Sequence, residues 1–215
     1  MNYLLAASTK PTFMQSFSQN CLEKERYMYL IDGLCVTVKI TVFAVLLGII
    51  LGLFVATVRS TYDLTMLGTN KNKKTLSSLI LTVLNTICKA YLSIIRGTLV
   101  IVQLMIFFYV IFGSISIDKI ITGILAFGIN SGAYVAEIFR SGIMSIDKGQ
   151  FEAGRSIGFN YIQTMFYIIM PQAFKNVLPA LANEFVVLLK ETSVAGYIGT
   201  ADLTKGGDII RSQTY

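Results

Sequence analysis

Residues Leu34–Val58, LCVTVKITVFAVLLGIILGLFVATV, decide what kind of protein this chain is. The stretch is apolar apart from Lys39 and scattered threonines, and an α-helix rises about 1.5 Å per residue, so it is long enough to cross a bilayer at a tilt. Lys39 lies close to one end, where a long basic side chain reaches the interface. The sequence therefore predicts a first membrane span here.

The composition of the whole chain agrees with a membrane protein. Of the 215 residues, 54% are apolar and 14% are charged, whereas a soluble globular chain has about 25% charged residues. This excludes a disordered, a nucleic-acid-binding or an ordinary cytosolic protein. The net charge of +6 comes from Lys and Arg gathered between the apolar segments, so it indicates topology. We expect an all-α integral membrane protein.

Further apolar segments follow the first span. Leu99–Ile117 is predicted to cross outward and Ile120–Phe139 to return. Tyr161–Leu189 is broken by Pro171 and Pro179, so this fourth crossing should be kinked or built of two helices that meet at an angle. Four crossings are predicted, with both termini outside.

The connections between these segments set the expected orientation. Arg59–Lys74 and Arg140–Arg155 are rich in Lys and Arg, and the positive-inside rule places such loops in the cytoplasm. Between them, Leu76–Ile95 is long enough to span but is strongly two-faced, with apolar residues at helical spacing and polar residues opposite. An interfacial helix is favoured over a true crossing for this segment.

Several chemistries are absent from the sequence. The chain has no His, and no G-x-x-x-x-G-K-[ST] run, so it has no P-loop for hydrolysing ATP. Cys21, Cys35 and Cys88 are too far apart for a C-x-x-C pair and are interpreted as packing residues. We therefore predict no catalytic residue and no metal site.

Polar residues inside the apolar segments are the candidates for function, because an unpaired charge at mid-bilayer costs about 3 kcal/mol. They are Gln103, Asn130, Tyr134, Glu137, Asn183, Glu184, Lys190 and Glu191. Hydrogen bonding between helices is an equally good reading of the amides. Glu137 lies near Arg140, so an ion pair is favoured over a ligand role. The pairs Gly48/Gly52 and Gly128/Gly132 permit close helix approach, within the chain or between chains.

The second basic loop carries the most specific signal. Glu152, Ala153, Gly158, Ile168 and Pro171 reproduce the spacing E-A-A-x3-G-x9-I-x-L-P of the EAA loop. The chain thereby resembles the permease subunits of ABC importers, and in particular the polar amino acid subfamily. Similar stretches are YLSIIRGT (91–98) with VQL (102–104), NSGAYVAEIFRSGI (130–143), MPQAFKNVLPALANEF (170–185) and LLKETSVAGYIGTADLT (188–204). The resemblance covers Ile31–Thr204.

The resemblance implies a type I importer bundle that passes a polar amino acid inward by alternating access in the lipid of a bacterial inner membrane. Its partners would be separate ATP-binding subunits that carry ATP and Mg²⁺, a second permease subunit, alike or different, and an extracytoplasmic amino-acid-binding protein. No nucleic acid is expected. The division would be an outer or interfacial segment 1–30, a permease domain 31–204 with its EAA loop at about 140–160, and a tail 205–215.

Two sets of site residues follow. The ATPase-coupling residues implied by the resemblance are Glu152, Ala153, Gly154, Gly158 and Pro171. The residues expected to line the substrate path are Gln103, Asn130, Tyr134, Asn183 and Glu191. Asn130, Tyr134 and Asn183 would face a shared interior if the third and fourth spans pack together.

The sequence departs from the family pattern at a few places. Gly154 replaces the second Ala and costs about 1 kcal/mol of helix preference, and Met170 for Leu is conservative. Leu99 replaces a Pro, so that span should start with less of a kink. Family members carry one more apolar helix after the ADLT segment, and truncation of the sequence is the expected explanation.

Two other functions remain open from the sequence. A membrane scaffold that binds a cytoplasmic protein without passing a solute would show many of the same features. A self-contained secondary transporter would need internal repeats and broken helices in both halves. Prolines within apolar sequence occur only in the second half, which does not favour that class.

Overall fold

The computed structural model describes residues 25–68 and 76–214, which form helices with no β-strand among them. The helices are α1 (Tyr27–Gly68), α2 (Leu76–Gly97), α3 (Val100–Met105), α4 (Lys119–Met144), α5 (Lys148–Ser156), α6 (Tyr161–Thr164), α7 (Met170–Glu191) and α8 (Leu203–Thr214). Two π-helical segments, Ile106–Ile111 and Met165–Ile169, continue α3 and α6, and a 3₁₀ segment, Thr192–Ile198, follows α7. The all-α fold class is confirmed.

The centre of the fold is a parallel pair of helices, α1 and α4. Residues advance in the same direction along both: Gly48 lies against Ser131, Gly52 against Val135, and the Arg59 side chain reaches Glu137. Two parallel helices of one chain need a connection that returns to the starting end. The segment from α2 through α3 supplies that return, and Leu104 of α3 is buried in the core between α1 and α4.

Both G-x-x-x-G motifs lie in this helix contact. A Cβ on Gly52 would be 2.5 Å from Val135 Cγ1, and one on Gly128 would be 2.6 Å from Leu47 Cδ2. The glycines therefore let the two backbones approach until the side chains of one helix fill the space above the glycines of the other. The predicted role in close helix approach is confirmed within the chain.

Within residues 25–68 and 76–214, three apolar helical segments are long enough to cross a membrane: Tyr27–Asp63, Ser78–Gly97 and Lys119–Met144. The predicted spans 34–58 and 120–139 lie inside the first and the third, whose helices continue beyond the apolar core. The two-faced helix Ser78–Gly97 meets the same length and composition criterion, although most of its apolar window is exposed. Whether it crosses or lies at the interface stays a prediction, as does the number of crossings.

The expectation of a weaker kink at Leu99 is wrong. The chain breaks between α2 and α3, and Leu99 has φ −69° and ψ 139°, a backbone that proline would adopt. The Gln103 amide closes this break, because its Nε2 donates to Ile95 O at 2.7 Å and to Thr98 Oγ1 at 2.7 Å. These bonds hold the extended residue in place without the proline ring.

The segment predicted as a kinked fourth crossing is one run of helical turns rather than two helices. The π-helical turn Met165–Ile169 immediately precedes Pro171, and the Met170 N–H bonds Met165 O. Proline lacks the donor of a regular helical bond and crowds the preceding turn, and the wider turn accommodates it. Pro179 lies inside α7, which continues past it.

The polar tail predicted for Gly196–Tyr215 is largely helical. Asp202 immediately precedes α8, and its Oδ1 accepts a hydrogen bond from the Lys205 N–H at 2.9 Å. Burial raises the pKa of the Asp202 carboxyl, against the effect of backbone hydrogen bonds that lower it. The Leu203 N–H donates to Thr37 Oγ1 at 3.2 Å, so α8 lies beside the start of α1. The expected outer segment 1–30 lies outside the described residues up to position 24.

Candidate functional site

The predicted coupling loop is a short helical hairpin. Asp147 is the N-cap of α5, and its Oδ1 accepts a hydrogen bond from the Gly149 N–H at 2.6 Å. At its end, the Phe159 N–H bonds Gly154 O and the Gly158 N–H bonds Arg155 O, the paired arrangement of a Schellman motif. The loop predicted from Arg140 is shorter than expected, because α4 continues to Met144.

Gly158 is required by the backbone at this turn. Its φ is +85°, in the left-handed region where a side chain costs about 1–2 kcal/mol. Asn160 then starts α6 with a capping box, since its Oδ1 accepts from the Gln163 N–H and the Gln163 side chain accepts from the Asn160 N–H, both at 2.9 Å. The turn between α5 and α6 is therefore fixed by local hydrogen bonds.

Gly154, the departure from the EAA pattern, lies at the closest contact in the hairpin. It is buried, and an added Cβ would be 2.5 Å from Thr164 Cγ2 and 2.6 Å from Thr164 Oγ1. The glycine thus lets α5 lie against α6 more closely than alanine would. Closer packing of α5 against α6 therefore counters the helix preference that Gly154 is predicted to lose.

The hairpin is attached to two long helices. Ile143 at the end of α4 packs with Ile169 and Ala173 near the start of α7, and Phe151 of α5 lies on this cluster. Gln172 Nε2 also donates to Gln150 Oε1 at 3.3 Å. A displacement of α5 would therefore be transmitted to both α4 and α7.

The free surface of the hairpin carries the family motif. Glu152 and Ala153 are exposed on α5, together with Arg155 and Ile157. Pro171, the last coupling residue predicted, lies in the first turn of α7 and is also exposed. The predicted coupling residues therefore divide into an exposed pair, Glu152 and Ala153, and residues that shape the hairpin and its continuation.

Polar side chains connect α4 to α7 along one line. Ser131 Oγ donates to Glu184 Oε1 at 2.9 Å, and Asn130 Nδ2 lies 3.5 Å from Glu191 Oε2. Glu184 is buried, with 8% of its surface exposed. These contacts bring the third and fourth predicted spans together.

A cavity of about 600 Å³ opens beside this line. It is bounded by three helices, and charged, hydroxyl and amide groups interrupt its apolar wall. The lining residues are Arg96 of α2, Tyr134, Glu137, Ile138, Ser141, Gly142 and Ser145 of or next to α4, and Asn176, Ala180 and Glu184 of α7.

A cluster of charges includes two of the lining residues, Arg96 and Glu137. Glu137 accepts from Arg140 Nη2 at 2.7 Å and from Arg59 Nη1 at 3.3 Å, and Arg96 Nη1 lies 4.0 Å away. Arg140 is also 3.7 Å from Asp63. The predicted ion pair of Glu137 with Arg140 is confirmed, and the cluster joins α1, α2 and α4.

The predicted path residues separate into three positions. Tyr134 lines the cavity, while Asn130 of α4 contacts Glu191 of α7, next to the Ser131–Glu184 hydrogen bond. Asn183 is exposed on α7, and Gln103 is buried at the break between α2 and α3. Neither of these two lines the cavity, and their place on a substrate path stays a prediction.

Two residues that the sequence did not single out belong to this site. Arg96 appears in the sequence analysis only within the similar stretch 91–98, and nothing local in the sequence indicates that it turns toward α4. Ser131 has no pattern of its own, because serine is common in membrane helices. Among the described residues no group of His, Cys, Asp and Glu has the arrangement of a metal site.

Comparison with known proteins decides the family. The model of the family described as binding-protein-dependent transport system inner membrane component matches residues 44–211. The chain belongs to this family. The permease is 36% identical over 194 residues to a putative glutamine transport system permease protein, GlnP, of Rickettsia prowazekii (strain Madrid E), covering 88% of this chain and 80% of the relative.

Two further similarities extend this assignment. The permease is 34% identical to the arginine transport system permease protein ArtQ of Bacillus subtilis (strain 168), over 87% of this chain and 78% of the relative. It matches the crystal structure of an amino acid ABC transporter with histidines at a TM-score of 0.74 and 39% identity, over 88% of this chain and 80% of the other. The resemblance inferred from the EAA loop is confirmed.

Proposed function

We propose that this permease passes a polar amino acid inward across a bacterial inner membrane as the transmembrane subunit of an ATP-driven importer. Relatives whose names specify glutamine and arginine transport support an amino acid as the substrate class. The observation that carries the proposal is the exposed EAA hairpin attached to α4 and α7, the two helices that border the polar cavity.

The hairpin is the proposed contact with a separate ATP-binding subunit. Glu152 and Ala153 are exposed on its surface, while Gly154 and Gly158 fix its shape. ATP and Mg²⁺ would be held by the partner, since this sequence lacks a P-loop. Closure of an ATPase dimer would move α5, and α5 would carry α4 and α7 with it, opening the cavity toward one side at a time.

The remaining parts of the importer are proposed on the same basis. An extracytoplasmic binding protein would deliver the amino acid, and a second permease subunit, alike or different, would complete the path. Asn183 on the exposed face of α7 would then meet the second subunit or the solute between the two. Asn130, Tyr134 and Glu191 would line the path within this chain. A non-transporting scaffold is not favoured by relatives named as transport permeases.

The test is uptake by the complete importer in proteoliposomes. Labelled L-glutamine, L-arginine and L-cystine are offered outside, with ATP inside and the binding protein present. ATP-dependent accumulation of at least one of them, with stimulation of ATP hydrolysis by the loaded binding protein, is expected. A scaffold would leave the basal ATPase rate unchanged and accumulate none of the three.

A charge reversal tests the hairpin in the same preparation. Glu152→Lys should insert into the membrane normally but co-purify with little ATP-binding subunit, because an acidic contact becomes basic. Asp208→Lys makes the same change on exposed α8 and is the matched control. Normal co-purification of the Glu152→Lys variant would contradict the assignment of the hairpin.

A further inference from the structure

The cavity presents one basic group that its neighbours leave without a hydrogen-bonded acceptor. Three arginines surround Glu137, and Arg140 and Arg59 take its hydrogen bonds at 2.7 and 3.3 Å. Arg96 lies 4.0 Å from the same carboxylate, beyond hydrogen-bond distance, and its side chain is 43% exposed. In the part of the chain that the structure describes, no carbonyl or carboxylate accepts a hydrogen bond from its guanidinium.

Tyr134 holds this guanidinium at the cavity wall. The Arg96 Cζ lies 5.6 Å from the centre of the Tyr134 ring, a distance at which the ring face attracts a cation. Arg96 Nη1 meanwhile lies 4.0 Å from Glu137 Oε2, too far for a hydrogen bond, so the guanidinium keeps N–H groups that a ligand could engage. A guanidinium edge matches the two oxygens of a carboxylate.

An acidic group lies on another helix that borders the same cavity. Glu184 of α7 is fixed by the hydrogen bond from Ser131, which uses one carboxylate oxygen, Oε1. Its other oxygen is available to a donor in the cavity. The lining therefore combines a cation on α2 and a carboxylate on α7 with Tyr134 and Ser141 of α4.

Resting on the proposed function, we propose that Arg96 and Glu184 recognise the two charges common to all α-amino acids. Arg96 binds the α-carboxylate by its guanidinium edge, and Glu184 accepts from the α-ammonium group. The side chain of the amino acid points away from both, toward Asn176 and Ser145 at the cavity wall, where Asn176 Nδ2 donates to Ser145 Oγ at 3.1 Å. Arg96 is thus a specificity residue, and Glu137 is its positioning residue.

Substrate analogues separate this role from a structural one. The nucleotide-free complex of permease and ATP-binding subunits, without binding protein, is titrated with the amino acid that the proteoliposomes accumulate best. The same amino acid is then used as its α-amide, which lacks the carboxylate, and as its N-acetyl derivative, which lacks the ammonium group. Wild type should bind both derivatives about tenfold or more weakly than the free amino acid, since each loses one charged hydrogen bond.

The variants should lose these preferences one at a time. Arg96→Gln should bind the free amino acid and its α-amide with nearly equal affinity, but still reject the N-acetyl derivative. Glu184→Gln keeps an acceptor for Ser131. It should bind the free amino acid and its N-acetyl derivative with nearly equal affinity, but still reject the α-amide. The preference of Arg96→Lys for the free acid over the α-amide should lie between those of wild type and Arg96→Gln. The lysine ammonium group keeps the charge but lacks the paired N–H donors of a guanidinium. Lys89→Gln, on the same helix but outside the cavity lining, should match wild type.

Two results would overturn the inference. One is a wild-type preference between acid and α-amide that persists in Arg96→Gln, and the other is no binding of the amino acid to the wild-type complex. Either could occur while the same complex still accumulates the amino acid in proteoliposomes, which would leave the proposed function standing. Failure of accumulation by wild type would instead contradict the proposed function itself.

Discussion

Single glycines decide how closely the two central helices of the permease approach. Gly48 and Gly52 on α1 lie under Ser131 and Val135 of α4, and a Cβ on either would be 3.0 Å or less from the opposite side chain. Such separations force a neighbour to shift. The same approach brings Arg59 within reach of Glu137, so the glycines also position the charged cluster.

Replacing one of these glycines should destabilise the bundle. Gly52→Ala places a methyl group against Val135 and is expected to cost about 1–3 kcal/mol, the range for overpacking. Gly207→Ala is the matched control, because no atom lies within 4 Å of a Cβ at that position of α8. Thermal unfolding of the two detergent-solubilised variants makes the comparison. Equal unfolding temperatures would show that the helix contact is looser than described.

Residue types alone predicted part of this arrangement. The G-x-x-x-G spacings indicated close approach, and Glu137 beside Arg140 indicated an ion pair, because both signals are local in sequence. Arg96 and Ser131 gave no such signal, since their partners lie on other helices. The prediction for Leu99 was wrong because a leucine can adopt the backbone of proline when neighbouring amides, here Gln103, hold it.

At the scale of elements, local contacts hold the shape of the hairpin α5–α6. Hydrogen bonds fix the start of the hairpin at Asp147, its turn, and its contact with α7 through Gln150 and Gln172. Gly154 packs against Thr164 in its interior. The sequence located this element from the EAA spacing. The extension of α4 to Met144 and the π-helical turn before Pro171 were not predictable, because helix ends depend on tertiary contacts.

Restoring the alanine of the EAA pattern should weaken this element. Gly154→Ala places a Cβ 2.5 Å from Thr164 Cγ2, so we expect less ATP-binding subunit to co-purify despite better helix preference. Thr164→Ala removes the opposing atoms, and the double variant should recover much of the loss through a coupling energy of about 1 kcal/mol or more. Additive losses would mean that the two residues do not act on each other.

At the scale of the whole molecule, the parallel arrangement of α1 and α4 determines the topology. Their common direction puts α8 and the start of α1 at one end, and the charged cluster and the hairpin toward the other. The family assignment and the order of the long helices were predictable from apolar runs and the EAA motif. The helical form of α8 was not, because its glycines and charges are typical of a solvated tail.

The central claim is that the hairpin lies on the cytoplasmic side, where a separate ATPase can move it. The direct measurement is labelling of single cysteines in cells with a membrane-impermeant thiol reagent, with Cys21, Cys35 and Cys88 replaced by Ala. Ser156→Cys on exposed α5 should be labelled only after permeabilisation, and Asp208→Cys on α8 should be labelled in intact cells. Labelling of Ser156→Cys from outside intact cells would contradict both the orientation and the coupling to ATP.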